Sequence, residues 1–225
     1  MSFTITKEEM KIMKEITNVS PNITFRSDTL KVVADKGKML VWWKWEKEIE
    51  NNFDVYDTDK FITVLSNYQN PDIDYALKGD RVIKVLVSED GSDVNKTEFS
   101  TSDPTLMASV PDIADFKKKL SSDPVKFTLS ESDMLKIKKH SSTLNVEELK
   151  FQGNKLIAYN SDEPNGNKHT LTISPDKPID VCAISVIRFN SMILSDYEVL
   201  IYDKAIMFKC TKLPIVYCIA RMKNV

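Results

Sequence analysis

The residues best suited to chemistry in this chain begin with a basic run. Asp133 to His140, DMLKIKKH, holds three lysines and a histidine in a chain whose formal net charge is −2. Ammonium groups along a helix attract phosphate backbones through charge alone. A charge run of this kind is also typical of the solvated face of an ordinary helix. The run by itself leaves both interpretations open.

The other candidate groups favour structural roles over catalysis. Asp57 and Asp59 resemble a pair of catalytic carboxylates, but they open a predicted helix, where acids complement the helix dipole. The two histidines, His140 and His169, have no cysteine or histidine at metal-ligand spacing. The sequence contains no phosphate-binding glycine loop and no nucleophile elbow. It therefore predicts no cofactor, no metal and no enzymatic activity.

Cysteine usage and hydropathy indicate the cellular compartment of the protein. Cys182, Cys210 and Cys218 are odd in number, lie in apolar runs and lack CxxC spacing. This pattern favours buried free thiols over a disulfide framework or a zinc site. The chain has no signal-peptide pattern and no run of roughly 18 apolar residues. We therefore expect a cytoplasmic protein without a membrane partner.

Hydrophobic periodicity predicts short strands and four helices, an α+β chain. Gly37, Gly79, Gly91, Gly153 and Gly166 lie in polar clusters between runs rich in Val, Ile and Thr, as hairpin tips do. The four helices are predicted by cap residues followed by apolar positions at helical spacing. The first runs from about Lys7 to Val19, with Thr6 and Glu9 as its capping box, and the second begins at Asp57 or Thr58. The third is capped by Ser130 with Asp133, and the fourth lies within Ser185 to Ile193.

The helices indicate an internal repeat. The first two begin about 51 residues apart and the last two about 54 apart. Each half is predicted as strand, helix, three strands, helix, and three or four strands. The predicted domains are residues 1–112 and 125–225, and the charged segment 113–124, which ends at Pro124, is predicted to connect them.

Basic residues are predicted on the exposed faces of all four helices. Lys7, Lys11 and Lys14 lie opposite the apolar positions of the first helix, and Lys136 and Lys139 are predicted to repeat that layout in the third. Acidic residues concentrate in strands and loops instead. The basic surface suits a phosphate backbone, but one chain carries few lysines, so several copies around a duplex are expected.

The run VWWKW, from Val41 to Trp45, raises the question of base stacking by exposed aromatic rings. In a strand, Trp43 and Trp45 share one face and Trp42 lies on the other. At least one indole is expected in the core. Trp42 is predicted to cover a neighbouring strand or to contact a partner.

Two segments carry a resemblance to a known family. FDVYDTDKFITVLSNYQNPDIDY, residues 53–75, resembles the part of phage sliding clamps in which a strand ending in Phe-Asp-Val leads through Tyr-Asp into a helix with buried Phe and Leu. DYEVLIYDKAIMFKCTKLPIVYCIAR, residues 196–221, is similar to the closing three strands of that family. The likeness extends over most of the chain and includes no catalytic signature.

The resemblance implies a DNA polymerase processivity factor of large tailed phages, similar to clamps of the proliferating-cell-nuclear-antigen type. Such clamps have six equivalent domains around duplex DNA, so a two-domain chain implies a homotrimeric ring with its helices lining the hole. It also implies a clamp loader, a DNA polymerase and other replication and late-transcription proteins as partners, in an infected bacterial cell. The DNA-facing residues it implies are Lys7, Lys11, Lys14, Lys60, Lys136, Lys139 and Arg188.

Partners of this family insert a short peptide into a pocket near the connector and the C-terminal strands. The resemblance places Phe116, Leu120, Val216 and Ile219 in the lining of that pocket, and subunit contacts near residues 105–110 and 168–174. The main alternative is a non-enzymatic interaction or structural module that does not bind DNA.

Overall fold

A computed structural model of the chain describes residues 2–89, 95–120, 123–163 and 165–222. The chain divides into two compact units, Met1–Val110 and Pro111–Val225. Each unit is described by itself below.

The first unit contains eight strands and two α-helices among its described residues. In chain order they are β1 (Phe3–Thr4), α1 (Lys7–Thr17), β2 (Ile23–Arg26), β3 (Thr29–Ala34), β4 (Met39–Lys44), β5 (Phe53–Val55), α2 (Thr58–Ser66), β6 (Pro71–Lys78), β7 (Arg81–Glu89) and β8 (Lys96–Ser100).

The second unit begins with a short additional helix and then repeats this order. Its elements are α3 (Ile113–Lys117), β9 (Val125–Leu129), α4 (Glu131–Leu144), β10 (Glu148–Gly153), β11 (Lys155–Tyr159), β12 (His169–Thr172), β13 (Ile179–Ser185), α5 (Val186–Asn190), β14 (Tyr197–Ile201), β15 (Ala205–Cys210) and β16 (Ile215–Ala220). The helix α3 lies within the segment predicted as a connector.

The two units share one strand topology, and every strand pair described is antiparallel. In the first unit, strands neighbour one another in the orders β1-β6-β7-β8 and β5-β2-β3-β4. In the second, the orders are β9-β14-β15-β16 and β13-β10-β11-β12. The predicted repeat and the α+β class are confirmed. Four strands separate the two repeated helices of each unit, where three were expected.

Polar side chains fix where the long helices begin. At α1, the Glu9 amide donates to Thr6 Oγ1 at 3.2 Å and the Thr6 amide donates to Glu9 Oε2 at 2.7 Å, which completes the predicted capping box. At α4, the Asp133 amide donates to Ser130 Oγ at 3.1 Å. Of the two caps predicted for α2, the structure has Asp57, whose Oδ1 accepts from the Lys60 amide at 3.0 Å.

The hairpin prediction from glycine holds at most positions. Gly37, Gly79 and Gly153 have φ of 85°, 61° and 59° and turn the chain between β3 and β4, β6 and β7, and β10 and β11. Gly166 lies in the longer connection between β11 and β12. Gly91 lies outside the described residues.

Each unit is built around a buried phenylalanine from its second repeated helix. Phe61 of α2 lies 5.9 Å from the ring of Phe25 in β2 and 5.1 Å from that of Phe99 in β8, so it contacts both rows of strands. Phe189 of α5 occupies the matching place and lies 5.9 Å from Phe208 in β15. Both helical side chains are fully buried. Burying such a ring contributes about 1.5–3 kcal/mol, which fixes the helices on the sheets.

Candidate nucleic-acid interface

Helix α1 presents a continuous basic stripe. Lys7, Lys11 and Lys14 are exposed, and within the described residues their ammonium groups make no ion pair or hydrogen bond. The opposite face is anchored by Met13 and Ile16, which are fully buried. A helix with one packed and one basic side holds its charges at the surface, where they are available to phosphate groups.

The acids at the start of α1 only partly offset this charge. Glu9 Oε2 lies 2.5 Å from Lys47 Nζ, and the same ammonium group donates to the Thr4 carbonyl. Burial alone would raise the pKa of Glu9, but the Lys47 ammonium and the Thr6 hydrogen bonds lower it overall. Glu9 is thus held by its own unit, whereas Glu8 is exposed and Glu15 is half-buried beside the three lysines, so the stripe keeps a net positive charge.

The second repeated helix of each unit carries one basic residue at a matching position. Lys60 immediately precedes the buried Phe61, and Arg188 immediately precedes the buried Phe189. Lys60 is exposed, whereas Arg188 is half-buried. The five-residue α5 also exposes Ile187 to 75%, so this helix offers a mixed apolar and basic surface.

Helix α4 carries Lys136 and Lys139 on its exposed side, as predicted. Lys136 Nζ lies 3.0 Å from Asp133 Oδ1, one turn earlier. This ammonium group and the Ser130 hydroxyl hold the pKa of the Asp133 carboxyl below its usual value. Lys139 makes no side-chain ion pair or hydrogen bond with the residues that the structure describes.

The predicted repetition of one lysine layout in α1 and α4 is wrong. The caps Thr6 and Ser130 set the register, in which Met10 matches Met134 and Thr17 matches Ser141; all four side chains are buried. Thr17 and Ser141 also make the same bond, from the hydroxyl to the backbone carbonyl four residues earlier.

In that register the exposed residues of α4 do not match those of α1. Leu135 takes the place of Lys11, and it is 53% exposed. Lys136 and Lys139 fall one residue later than the positions that match Lys11 and Lys14, which is about 100° further around the helix. Counting from the cap residues would have found this offset in the sequence, because the caps fix which residues are equivalent.

Lys138 has a structural role that the sequence did not identify. Its Nζ donates to the carbonyls of Asn190 and Met192, at 2.9 and 2.5 Å. Because these carbonyls lie at and beyond the C-terminal end of α5, the ammonium group caps that helix and joins it to α4. Lys138 is therefore not available as a phosphate contact in the way that Lys139 is.

The tryptophans do not form a stacking surface. Trp42, Trp43 and Trp45 are all at most 5% exposed. The rings of Trp43 and Trp45 lie 5.1 Å apart, and Trp45 also meets Phe25 edge-on at 6.0 Å. All three indoles are packed in the interior, so none is presented to a nucleic-acid base.

The four residues predicted to line a peptide pocket have different exposures. Phe116, Leu120 and Val216 are half-buried. Ile219 is fully buried in the core of the second unit, so its assignment to an open lining is wrong: alternation along β16 turns this side chain inward. A surface depression in this unit is lined instead by Gly153, Asn154 and residues 173–178.

Neither thiols nor metal ligands add a reactive centre in the part of the chain that the structure describes. Cys182 and Cys218 are buried free thiols, and burial raises their pKa to about 11 and about 12. The prediction of burial does not hold for Cys210, which is a half-buried free thiol with its Sγ 3.2 Å from Ser195 Oγ. Among the described residues, no group of three or more His, Cys, Asp or Glu side chains is placed to hold a metal ion. No helix there is long and apolar enough to cross a bilayer.

Comparison with known proteins identifies the architecture. No protein-family model matches the chain, and no curated protein is similar to it in sequence. The structure is similar to that of the DNA polymerase III subunit beta from Pseudomonas aeruginosa, with a TM-score of 0.69 and 13% sequence identity. The chain has a sliding-clamp fold.

The coverage and the sequence identity of this match determine what can be concluded from it. It covers 100% of the present chain but 65% of the Pseudomonas chain, so the present chain spans slightly less than two thirds of that protein's length. At 13% identity the likeness establishes the fold and not the activity. The helices that carry the basic residues, α1 and α2 in the first unit and α4 and α5 in the second, are therefore elements of a clamp fold.

Proposed function

We propose that this protein is a sliding clamp that encircles duplex DNA as a homotrimeric ring and tethers a replicative DNA polymerase. The observation that carries the proposal is the combination of a clamp fold with exposed helical lysines that have no ion pair within the described residues. Lys7, Lys11, Lys14, Lys60 and Lys139 supply diffuse charge. Contacts of this kind let a duplex slide, because they do not depend on base sequence.

The ring is proposed to form by head-to-tail contact between terminal strands. β8 and β12 each end a sheet within their own unit, and a terminal strand presents unpaired backbone groups that can extend a neighbouring sheet. Because β8 and β12 are different surfaces, pairing β8 of one copy with β12 of the next is a heterologous contact, and three copies form a ring when the rotation between neighbours is one third of a turn. The proposal keeps the expected contact at 168–174. It replaces the expected contact strand at 105–110 by β8, because the structure has a single helical turn at Pro104–Leu106 and no strand over 105–110.

The tethering role is proposed to use a peptide site near α3 and β16. Phe116, Leu120 and Val216 remain its candidates because each is half-buried and apolar. The same site would serve the polymerase and the other replication and late-transcription proteins, and an ATP-driven clamp loader would open the ring. A phage origin and an infected bacterial cell as its location belong to the same proposal.

The first experiment measures mass. Light scattering on purified protein, over a range of concentrations, is expected to approach three times the 25.7 kDa of one chain. A chain that stays monomeric at every concentration would contradict the ring.

The second experiment tests topology without a loader. The protein is incubated with duplex DNA fixed to a bead at one end and biotinylated at the other, so that rings can thread over the free end. Streptavidin then blocks that end before a high-salt wash. Retention is expected only on blocked DNA, and cutting the duplex near the block should release the protein. Equal retention with and without the block would mean ordinary surface binding.

The alternative is a protein-interaction module that does not bind DNA. The exposed Leu135 and Ile187 favour it, since apolar side chains on a helical surface are suited to protein contacts. That alternative predicts no salt-sensitive DNA association and no difference between blocked and open DNA.

A further inference from the structure

The two histidines of the chain are stacked on each other. The rings of His140 in α4 and His169 in β12 lie 4.0 Å apart between centroids, with their planes 17° apart. His140 is exposed, His169 is half-buried, and His169 Nε2 is buried without a hydrogen-bond partner among the described residues. The stack joins a helix to the terminal strand β12, a placement that no motif in the sequence predicts.

The surroundings of the stack favour a neutral imidazole at His169. The charges that act on His169 are those of His140 and Lys136 on α4, and Lys139 precedes His140 on the same helix. The neighbouring strand β11 places only the buried, apolar Ala158 and Leu156 beside the helix-facing side of β12.

Asp133 is the acid on α4 near these charges, and among the described residues it pairs with Lys136 but not with Lys139 or with either imidazole. The carboxylate of Asp133 on α4 is engaged by Lys136 and Ser130. Burial, then His140, then Lys136 lower the pKa of His169 from its usual value of 6.5. A proton added to His169 therefore creates a positive charge beside the lysines of α4, with no carboxylate bonded to the ring among the described residues.

The opposite half of the proposed subunit contact is also uncharged on its helix-facing side. Thr97 and Phe99 of β8 are half-buried there. The Thr97 hydroxyl lies 2.6 Å from the Tyr68 hydroxyl, and the Phe99 ring packs against Phe61. In the proposed contact, His169 and Leu171 of one copy lie beside Thr97 and Phe99 of the next, and these side chains form no ion pair.

We propose that ring closure through β12 and β8 requires His169, stacked on His140, to be neutral, so that acidification opens the ring. This inference rests on the trimeric clamp proposed above. Closure removes His169 further from water, and a protonated imidazole there would be left without a counter-charge. Protons bound to the stack in the free subunit are therefore released when the ring forms.

The sign of the effect follows from linkage. The assembled ring binds fewer protons than free subunits, so the dissociation constant stays constant well above the histidine pKa and increases as the pH falls through it. One proton per interface gives up to about a tenfold weaker contact for each pH unit below that pKa.

The test is sedimentation equilibrium at about pH 8, above the ordinary histidine pKa, and at about pH 5, well below it because the pKa of His169 is lowered, at constant ionic strength. The wild-type chain is expected to be trimeric at the higher pH and to dissociate at the lower. His169→Gln, which is neutral at both values, should remove most of this difference. Thr143→Gln, on the exposed side of the same helix, is the matched control and should keep it.

A second measurement needs no variant. Wild-type trimer is diluted in weakly buffered indicator dye near pH 5.5, about one unit below the ordinary histidine pKa because that of His169 is lowered, and dissociation is expected to take up protons. The inference is overturned if the trimer is equally stable at both pH values, if dilution takes up no protons, or if His169→Gln retains the full pH dependence. Absence of a trimer at the higher pH would instead overturn the ring itself, and this inference with it.

Discussion

At the scale of the residue, the exposed helix surfaces of the two units differ in charge. The first unit presents Lys7, Lys11 and Lys14 without ion pairs among the described residues. In the second, Leu135 replaces one of these lysines and Lys138 is used to cap α5. We therefore expect the first unit to contribute the larger share of any phosphate contact.

Replacing Lys11 and Lys14 together with Glu is expected to weaken DNA association and flatten its salt dependence. The slope of log affinity against log salt should fall by about 0.9 for each phosphate that the protein no longer neutralises. Titration of a fluorescent duplex at several salt concentrations measures this. Lys155→Glu makes the same charge change as Lys11→Glu alone, but on the exposed side of β11 away from α4, and is the matched control for that single variant; an equal effect of the two single changes would refute the assignment.

Phe189 and Ile187 provide a paired test of the core. Phe189→Ala empties a fully buried site against Phe208 and should lower the free energy of unfolding by about 3–5 kcal/mol. Ile187→Ala, two residues away on the same helix, should change it by less than about 0.5 kcal/mol, because that side chain is 75% exposed. Denaturant unfolding measures both, and similar decreases would mean that the faces of α5 are wrongly assigned.

At the scale of the element, helix starts are set by local hydrogen bonds. Thr6, Asp57 and Ser130 each accept a backbone amide within the first turn, and the acids that follow complement the helix dipole. These bonds join residues that are close in sequence, so their formation does not depend on how the strands of the sheets pair.

Ser130→Ala is expected to destabilise the second unit by about 1 kcal/mol, because the Asp133 amide no longer has its acceptor. It should also move the pKa of Asp133 back toward its usual value, since the Ser130 hydroxyl helps to lower it. Thermal unfolding and an NMR titration of the carboxyl provide the two readouts. Ser142→Ala, near the exposed C-terminal end of α4, is the control, and should leave both unchanged.

At the scale of the whole molecule, the repeat leaves two dissimilar terminal strands. β8 and β12 end their sheets and carry the half-buried apolar residues Phe99 and Leu171 on their helix-facing sides. Partial exposure of apolar groups along a strand edge is a recognised feature of surfaces that pair with another chain. Ring formation would complete their burial.

Leu171→Glu is expected to prevent trimer formation while the chain stays folded. Burying an unpaired carboxylate at each contact costs about 3 kcal/mol, which weakens association roughly a hundredfold. Light scattering measures the mass, and circular dichroism checks the fold. Leu77→Glu places the same charge at an exposed leucine in the hairpin of β6 and β7. Loss of the trimer in both variants alike would exclude β12 as the specific contact.

The sequence by itself determined the features that depend on short-range chemistry. Caps at Thr6 and Ser130, the hairpin at Gly79 and the periodicity around Phe61 and Phe189 predicted the helices, the α+β class and the repeat. Each depends on backbone and side-chain groups that are near neighbours along the chain.

Only the tertiary structure decided which exposed residues are equivalent and which distant residues meet. It turned Ile219 inward, buried all three tryptophans, engaged Lys138 at the end of α5, and stacked His140 on His169 from a separate element. Periodicity identifies the face of a helix, but it does not say what lies against that face. That depends on the pairing of strands far apart in sequence, which sets the neighbours of every side chain between them.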